Sequence, residues 1–189
     1  MPRGNVSAAA AKEEHEVEIG TVPLTILSRF RHALRAAGFQ KVPGTHSVYR
    51  WLYRRLTSKD TLRIRCRGIW LYVNPRDEVI TPSLINDGIY ERLETELFEH
   101  SVRPGMVVID VGANFGYYTM IAAKRLHGTG LVYAFEPDPN SYDLLVKNTR
   151  LNGYSNVVAI NKAIAATRGT AKLFLNTRNL GGILLLRRT

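Results

Sequence analysis

The stretch "GMVVIDVGANFGYYTM", Gly105 to Met120, decides the fold. An apolar run from Met106 to Val111 is broken by a single acid, Asp110, and passes into a loop bracketed by Gly112 and Gly116. From Gly116 onward, "GYYTMIAAKRL" turns helical. An apolar strand running through a glycine loop straight into a helix is the first unit of an open parallel sheet. In such sheets ligands bind beyond the carboxyl ends of the strands, and the loop after the first strand comes closest to them. Gly112 and Gly116 suit that approach, because a Cβ at either place would block it or strain the turn. The helix that follows turns its unpaired amides and positive end to the same point.

Downstream the order is regular. Strand "LVYAFEP", helix "NSYDLLVKNTRLNG", strand "NVVAINKAI" and a strand-like "TAKLFLN" succeed one another. Strands alternating with helices of this length predict a parallel sheet with crossover helices. Upstream, "TLRIRCRGIWLYVNPRD" sets Leu62, Ile64 and Cys66 against Arg63, Arg65 and Arg67, then resumes after Gly68 with Trp70 to Val73. That alternation predicts a β-hairpin with one wet, basic face. "YERLETELFEHSV" reads as a helix with Leu93, Leu97 and Phe98 on one stripe. Leu24, Leu27, Phe30 and Leu34 mark an amphipathic helix after Pro23, and "THSVYRWLYRRLTS" a second, short basic one. The chain therefore divides into an unordered tail (1–20), a basic helical segment (21–59), an α/β domain (60–180) and an atypical tail (181–189).

Composition bounds the function. The 189 residues are 45% hydrophobic and 22% charged, as in a globular protein. No apolar run approaches the roughly 20 residues of a membrane helix, and the N-terminus lacks a signal-type apolar core, so the expected location is cytoplasmic. Cys66 is the only cysteine, which excludes an intrachain disulfide and any multi-cysteine metal site; the five histidines show no ligand spacing, and no metal is expected. The net charge of +10 is concentrated before the glycine loop, in Arg29, Arg31, Arg35, Arg50, Arg54, Arg55 and Lys59. A basic face can meet nucleic acid or an anionic membrane. Its plainer reading is a solvated surface, since no aromatic–basic interleaving of the type that binds single strands is read in the sequence.

A dinucleotide-binding loop would read G-x-G-x-x-G, whereas this loop reads G-A-N-F-G. Asn114 replaces the glycine that lets backbone meet a pyrophosphate, and Asp110 adds negative charge beside it. S-adenosylmethionine carries an ammonium, a sulfonium and no phosphate, and so fits better than a nicotinamide dinucleotide. Glu136 ends the second strand, followed by Pro137, where an acid can accept hydrogen bonds from both ribose hydroxyls. Asn161 ends the third strand, beside the expected adenine edge. The candidate cofactor residues are thus Asp110, Gly112, Ala113, Asn114, Gly116, Tyr117, Glu136, Pro137 and Asn161. Of Tyr117 and Tyr118, at least one is expected in the core.

"VRPGMVVIDVGANFGYYTMIAAK", "VYAFEPDPNSYDLLVKNTRLNG" and "NVVAINKAIAATRGTAKLFLN", with "GIYERLETELF" upstream, resemble the FkbM family of S-adenosylmethionine-dependent methyltransferases. The resemblance implies the class I methyltransferase (Rossmann-like) fold, O-methylation of a hydroxyl on a sugar or other small natural product, and cofactor contacts at Asp110, Gly112, Asn114, Gly116 and Glu136. That family continues with a fourth strand and a substrate-lining portion, whereas this sequence ends in "NLGGILLLRRT". The expectation is therefore of the cofactor half alone, with poor activity, no catalytic base to name, and the first strand exposed as a sheet edge open to self-association. The alternatives are a nucleic-acid (RNA) methyltransferase, whose basic helices would grip phosphates, and a non-catalytic binding module.

Overall fold

A computed structural model describes residues 16–17, 61–175 and 183–187. The two basic helices expected within 21–59 lie outside the described residues. So does most of the tail 1–20, but Glu16–Val17 (β1) pairs antiparallel with the next strand and is not unordered.

Strands β2 (Leu62–Cys66) and β3 (Ile69–Val73) form the expected hairpin. The turn is made by Arg67 and Gly68, both at positive φ, as tight hairpin turns require. Period-two alternation sends Leu62, Ile64, Cys66, Ile69, Leu71 and Val73 to the inner face, where all are buried. They pack with Leu84, Phe115, Met120, Ile121 and Leu145 in one cluster. Each such side chain contributes about 1.5–3 kcal/mol on burial.

A short helix that the periodicity did not announce, α1 (Ile80–Asp87), follows. The buried carboxylate of Asp77 starts it, accepting from Val79 N at 2.6 Å and Ile80 N at 2.9 Å. Gly88 closes it in the left-handed conformation. Helix α2 (Arg92–Ser101) turns differently from expectation. Thr95 is its buried residue and Phe98 packs edge-on against Tyr118, while Leu93 and Leu97 stand 77% and 69% exposed. The Thr95 hydroxyl donates to Tyr90 O at 2.6 Å, which fixes the inward face and leaves the two leucines on the other side.

The central sheet is parallel, in the order β4 (Val107–Val111), β5 (Leu131–Phe135), β6 (Val157–Ile160). Helices α3 (Tyr117–Arg125) and α4 (Pro139–Leu151) make the crossovers. Two right-handed crossovers advancing in one direction lie on one face. Val132 and Ala134 are fully buried on that side. The opposite face is bare: Val107, Ile109 and Val111 are 61–62% exposed, and Leu131 and Val158 are exposed beside them. β4 is the outer strand of this sheet, as expected. β7 (Ala171–Leu175) pairs antiparallel with β8 (Ile183–Arg187), so the atypical tail carries a strand. Among the described residues, no helix is long and apolar enough to cross a membrane.

Candidate cofactor site

The carboxyl ends of β4, β5 and β6 meet at one place, through the register Val111–Phe135–Ile160. Around it lie most of the residues that the sequence singled out.

The glycine loop is held by its own surroundings. Gly112 N and Ala113 N both donate to Phe135 O at 2.9 Å. Asn114 N donates to Glu136 Oε2 at 2.7 Å, Phe115 N to Asn114 Oδ1 at 2.8 Å, and Gly116 N to Ala113 O at 2.8 Å. Five consecutive amides are therefore spent inside the protein. A phosphate-binding loop aims such amides at its ligand; this loop has none to aim. Gly112 sits at φ +81° with open space where a Cβ would lie, and Asn114 adopts φ +51°, a conformation that asparagine tolerates better than most residues. At Gly116, φ +92°, a Cβ would fall 2.7 Å from Leu145 Cδ1, so this glycine admits the Leu145 side chain of α4 against the start of α3.

Asp110 points to the start of α3. Its Oδ2 accepts from Thr119 Oγ1 at 2.5 Å. Burial pushes its carboxyl above the ordinary 3.8, against the pull of the Thr119 hydroxyl and amide. Glu136 is 1% exposed, and its Oε1 accepts from Asp138 N at 2.8 Å. Its carboxyl too is raised by burial, opposed by the amides of Asp138 and Asn114. Asp138, which the sequence reading passed over, is the N-cap of α4, accepting from Ser141 N at 3.0 Å with Pro139 behind it.

Asn161 is exposed, and its Nδ2 donates to Glu136 O at 2.8 Å and Pro137 O at 3.3 Å. It ties the ends of β5 and β6 together. Ala113 is buried. The side chain of Tyr117 does not belong to the site: it is buried, its hydroxyl accepts from Tyr90 N at 3.3 Å, and its ring packs edge-on against Tyr90 and Tyr118. Only its backbone stands at the start of α3. Burial pushes its phenol up to about 12.

Two further features were not anticipated. The Nδ2 of Asn114 is buried without a hydrogen-bond partner. Such a donor is costly unless something accepts from it. Glu91 precedes α2 at φ +45°, an unusual conformation for glutamate, and its exposed carboxylate accepts from Tyr118 Oη at 3.1 Å. Tyr118 is the second residue of α3, the helix that follows the glycine loop. Among the described residues, no group of three histidine, cysteine or acidic side chains is placed to hold a metal.

Residues 88–172 match the family model of the TRM5/TYW2 methyltransferase domain. The finer FkbM assignment is corrected by that match, and the broader expectation of a methyltransferase domain stands. An uncharacterised protein of Methanocaldococcus jannaschii is 40% identical over 80 residues, 41% of this chain and 29% of its own length. The tRNA(Phe) (4-demethylwyosine(37)-C(7)) aminocarboxypropyltransferase of the same organism is 43% identical over 54 residues, 29% of this chain and 21% of its own. The solved structure of Trm5b from Pyrococcus abyssi is 25% identical, covers 54% of this chain and 28% of its own, and superposes with a TM-score of 0.43. The chain spans less than a third of the length of these curated relatives.

Proposed function

We propose that this chain carries the cofactor-binding part of an S-adenosylmethionine-dependent methyltransferase whose acceptor is RNA. The observation that carries the cofactor reading is the closed loop: with the amides of Gly112 to Gly116 engaged, the chemistry left at the strand ends is acidic and unsuited to a pyrophosphate. The cofactor offers what such a site lacks, a cation and a ribose diol. The residues present fit it. Gly112 leaves space above its Cα, the Asn114 side-chain amide needs an acceptor, and Asp110 and Glu136 supply carboxyl oxygens at the strand ends. Asp110 and Asn114 would hold the amino-acid end and Glu136 the ribose, with Asn161, just after β6, donating to the carbonyls of Glu136 and Pro137 and so steadying that turn.

When bound, the cofactor supplies an electrophilic methyl group; the chain contributes alignment and a place for the proton. Glu91 is suited to the second task. Its carboxylate is exposed and oriented by Tyr118 of the first turn of α3, and in this reading it accepts the proton released when an N–H or O–H of the acceptor is alkylated.

RNA is preferred as acceptor because the matching family model covers the site and a relative sharing 43% identity acts, by its name, on tRNA(Phe). The net charge of +10 agrees with a polyanionic partner. The hydroxylated small molecule lost its support with the FkbM assignment. Calorimetry with S-adenosylmethionine and with NAD, followed by transfer of labelled methyl to total tRNA or to a panel of hydroxylated small molecules, tests both parts. Heat with the first compound only and label in tRNA are expected. Heat with NAD alone, or label confined to small molecules, would overturn the reading.

A further inference from the structure

Asn148, toward the C-terminal end of α4, is fully buried. A buried primary amide is tolerated when its oxygen and both of its N–H groups find partners. Those of Asn148 do. Its Oδ1 accepts from Tyr72 N at 2.6 Å, and its Nδ2 donates to Tyr72 O at 3.0 Å and to Phe115 O at 2.8 Å. The first two bonds are the exchange that one strand residue makes with its neighbour, placed here on the outer edge of β3. Asn152, the C-cap residue of α4, does the same for Trp70, accepting from its N at 2.9 Å and donating to its O at 2.7 Å. The two asparagines differ in the remaining N–H. Asn152 spends it on its own helix, at Asn148 O, 2.8 Å away. Asn148 sends it to the glycine loop.

Phe115 O needs that donor. It lies before α3, whose N-cap carbonyl, Gly116 O, accepts from Met120 N at 2.8 Å. Phe115 is buried, and a carbonyl left bare in such a place is costly. The same residue sets the side chain of Asn114, because Phe115 N donates to Asn114 Oδ1 at 2.8 Å. With Oδ1 engaged, the plane of that amide is fixed. Its Nδ2, buried and without a partner, is the end left to meet a ligand. A line of hydrogen bonds therefore runs from Tyr72 through Asn148 and Phe115 to Asn114. Asn152 holds β3 in the same way and stands outside that line.

We infer that Asn148 is a positioning residue of the cofactor site. Acting through Phe115, it holds the Asn114 side-chain amide in the orientation that meets the amino-acid end of S-adenosylmethionine; the inference rests on the cofactor reading above. Asn148 touches no ligand itself. It makes the aim of Asn114 depend on the seating of the hairpin against α4, two elements that the chain builds far apart in sequence.

The experiment is calorimetry of the full chain with two compounds, S-adenosylmethionine and 5′-methylthioadenosine, which keeps the nucleoside and lacks the amino-acid end. The ratio of the two affinities is read. Asn148→Leu removes all three bonds. Asn148→Asp keeps the acceptor for Tyr72 N and removes both donations; the cofactor carries a net positive charge, so any pull from the new carboxylate opposes the loss expected. Asn152→Leu removes the strand contacts without touching the loop. All three should lower the melting temperature, since each leaves backbone groups of β3 without partners. Both changes at 148 should weaken S-adenosylmethionine about tenfold and 5′-methylthioadenosine by less than about twofold, as for one misdirected hydrogen bond to a charged group. Asn152→Leu should leave the ratio unchanged. In an Asn114→Gly background, with no side-chain amide to aim, Asn148→Leu should move the ratio by less than about twofold. Circular dichroism establishes the fold; if Asn148→Leu is unfolded, Asn148→Asp decides. An unchanged ratio in the folded variants at 148, an equal shift by Asn152→Leu, or loss of the fold by both variants at 148 makes Asn148 a structural tie only, and overturns the positioning role while leaving the cofactor reading intact. A parent chain that gives heat with neither compound overturns both.

Discussion

The backbone amide of Asn114 donates to Glu136 Oε2 at 2.7 Å, joining the loop after β4 to the end of β5. The two residues are 22 positions apart, yet this bond fixes the shape of the loop and the orientation of the acid together. Asn114 holds a left-handed backbone while making it.

Replacing Asn114 therefore separates two roles. Asn114→Gly accepts the backbone geometry and removes the unpartnered Nδ2 donor together with the Oδ1 that accepts from Phe115 N. It should melt within a few degrees of the parent chain and bind S-adenosylmethionine about tenfold more weakly, the worth of one hydrogen bond to a charged group. Asn114→Ala adds about 1–2 kcal/mol of backbone strain and should also lower the melting temperature. Calorimetry and thermal melting of the pair check this; equal affinities for parent and Asn114→Gly would exclude Nδ2 from the site.

Asp110→Asn gives a pH signature. The Asp110 carboxyl is raised above its ordinary 3.8 in the folded protein, so folding takes up a proton in the interval between the unfolded and folded values. The stabilising effect of that proton is complete below the unfolded value and is lost as pH rises through the folded one. Asn at 110 can still accept from Thr119 and has no proton to lose. Relative to this variant, the parent chain should lose stability as pH climbs from about 4 toward neutrality, read from urea midpoints at each pH. The variant should nonetheless bind S-adenosylmethionine more weakly, because the ligand's ammonium loses a counter-charge.

Gly116→Ala introduces a Cβ 2.7 Å from Leu145 Cδ1 at a residue with φ +92°. A cost of about 2–4 kcal/mol is expected, part strain and part overpacking. Adding Leu145→Ala relieves the second part only, so the double variant should be more stable than the sum of the single losses by about 1 kcal/mol. Strict additivity in denaturant unfolding would show that the clash is absorbed elsewhere.

Glu91→Gln keeps the backbone and leaves an oxygen to accept from Tyr118. Stability should change by less than about 0.5 kcal/mol. Turnover should fall about 10²–10⁴-fold with S-adenosylmethionine affinity unchanged, as for the loss of a proton acceptor. A parallel fall in affinity would make Glu91 a binding residue instead.

Much of this architecture is legible in the sequence because its signals are local. The hairpin's alternation, the apolar run into the Gly112 loop and the stop after Leu151 each depend on neighbours in the chain. What escaped depends on partners far away. That Arg63 and Arg65 both lie over Trp70 follows only from the strand register. Asn148 and Asn152 read as polar residues on a helix until β3 is laid beside them. Leu93 and Leu97 match a buried stripe in spacing, but the inward face of α2 is chosen by Thr95 and Phe98 through Tyr90 and Tyr118. Tyr117 opens the helix after the loop, and only tertiary packing shows that its ring points to the core.

The uncovered side of the central sheet has a colloidal consequence. Val107, Ile109 and Val111 present a greasy ridge on a molecule whose ten surplus positive charges keep its copies apart. Added electrolyte shortens the reach of that repulsion to about 8 Å at physiological strength and leaves the stickiness of the ridge untouched. A preparation that stays clear in dilute buffer should therefore scatter light as sodium chloride is raised, the reverse of a protein held in clumps by opposite charges, and Ile109→Lys should keep it transparent.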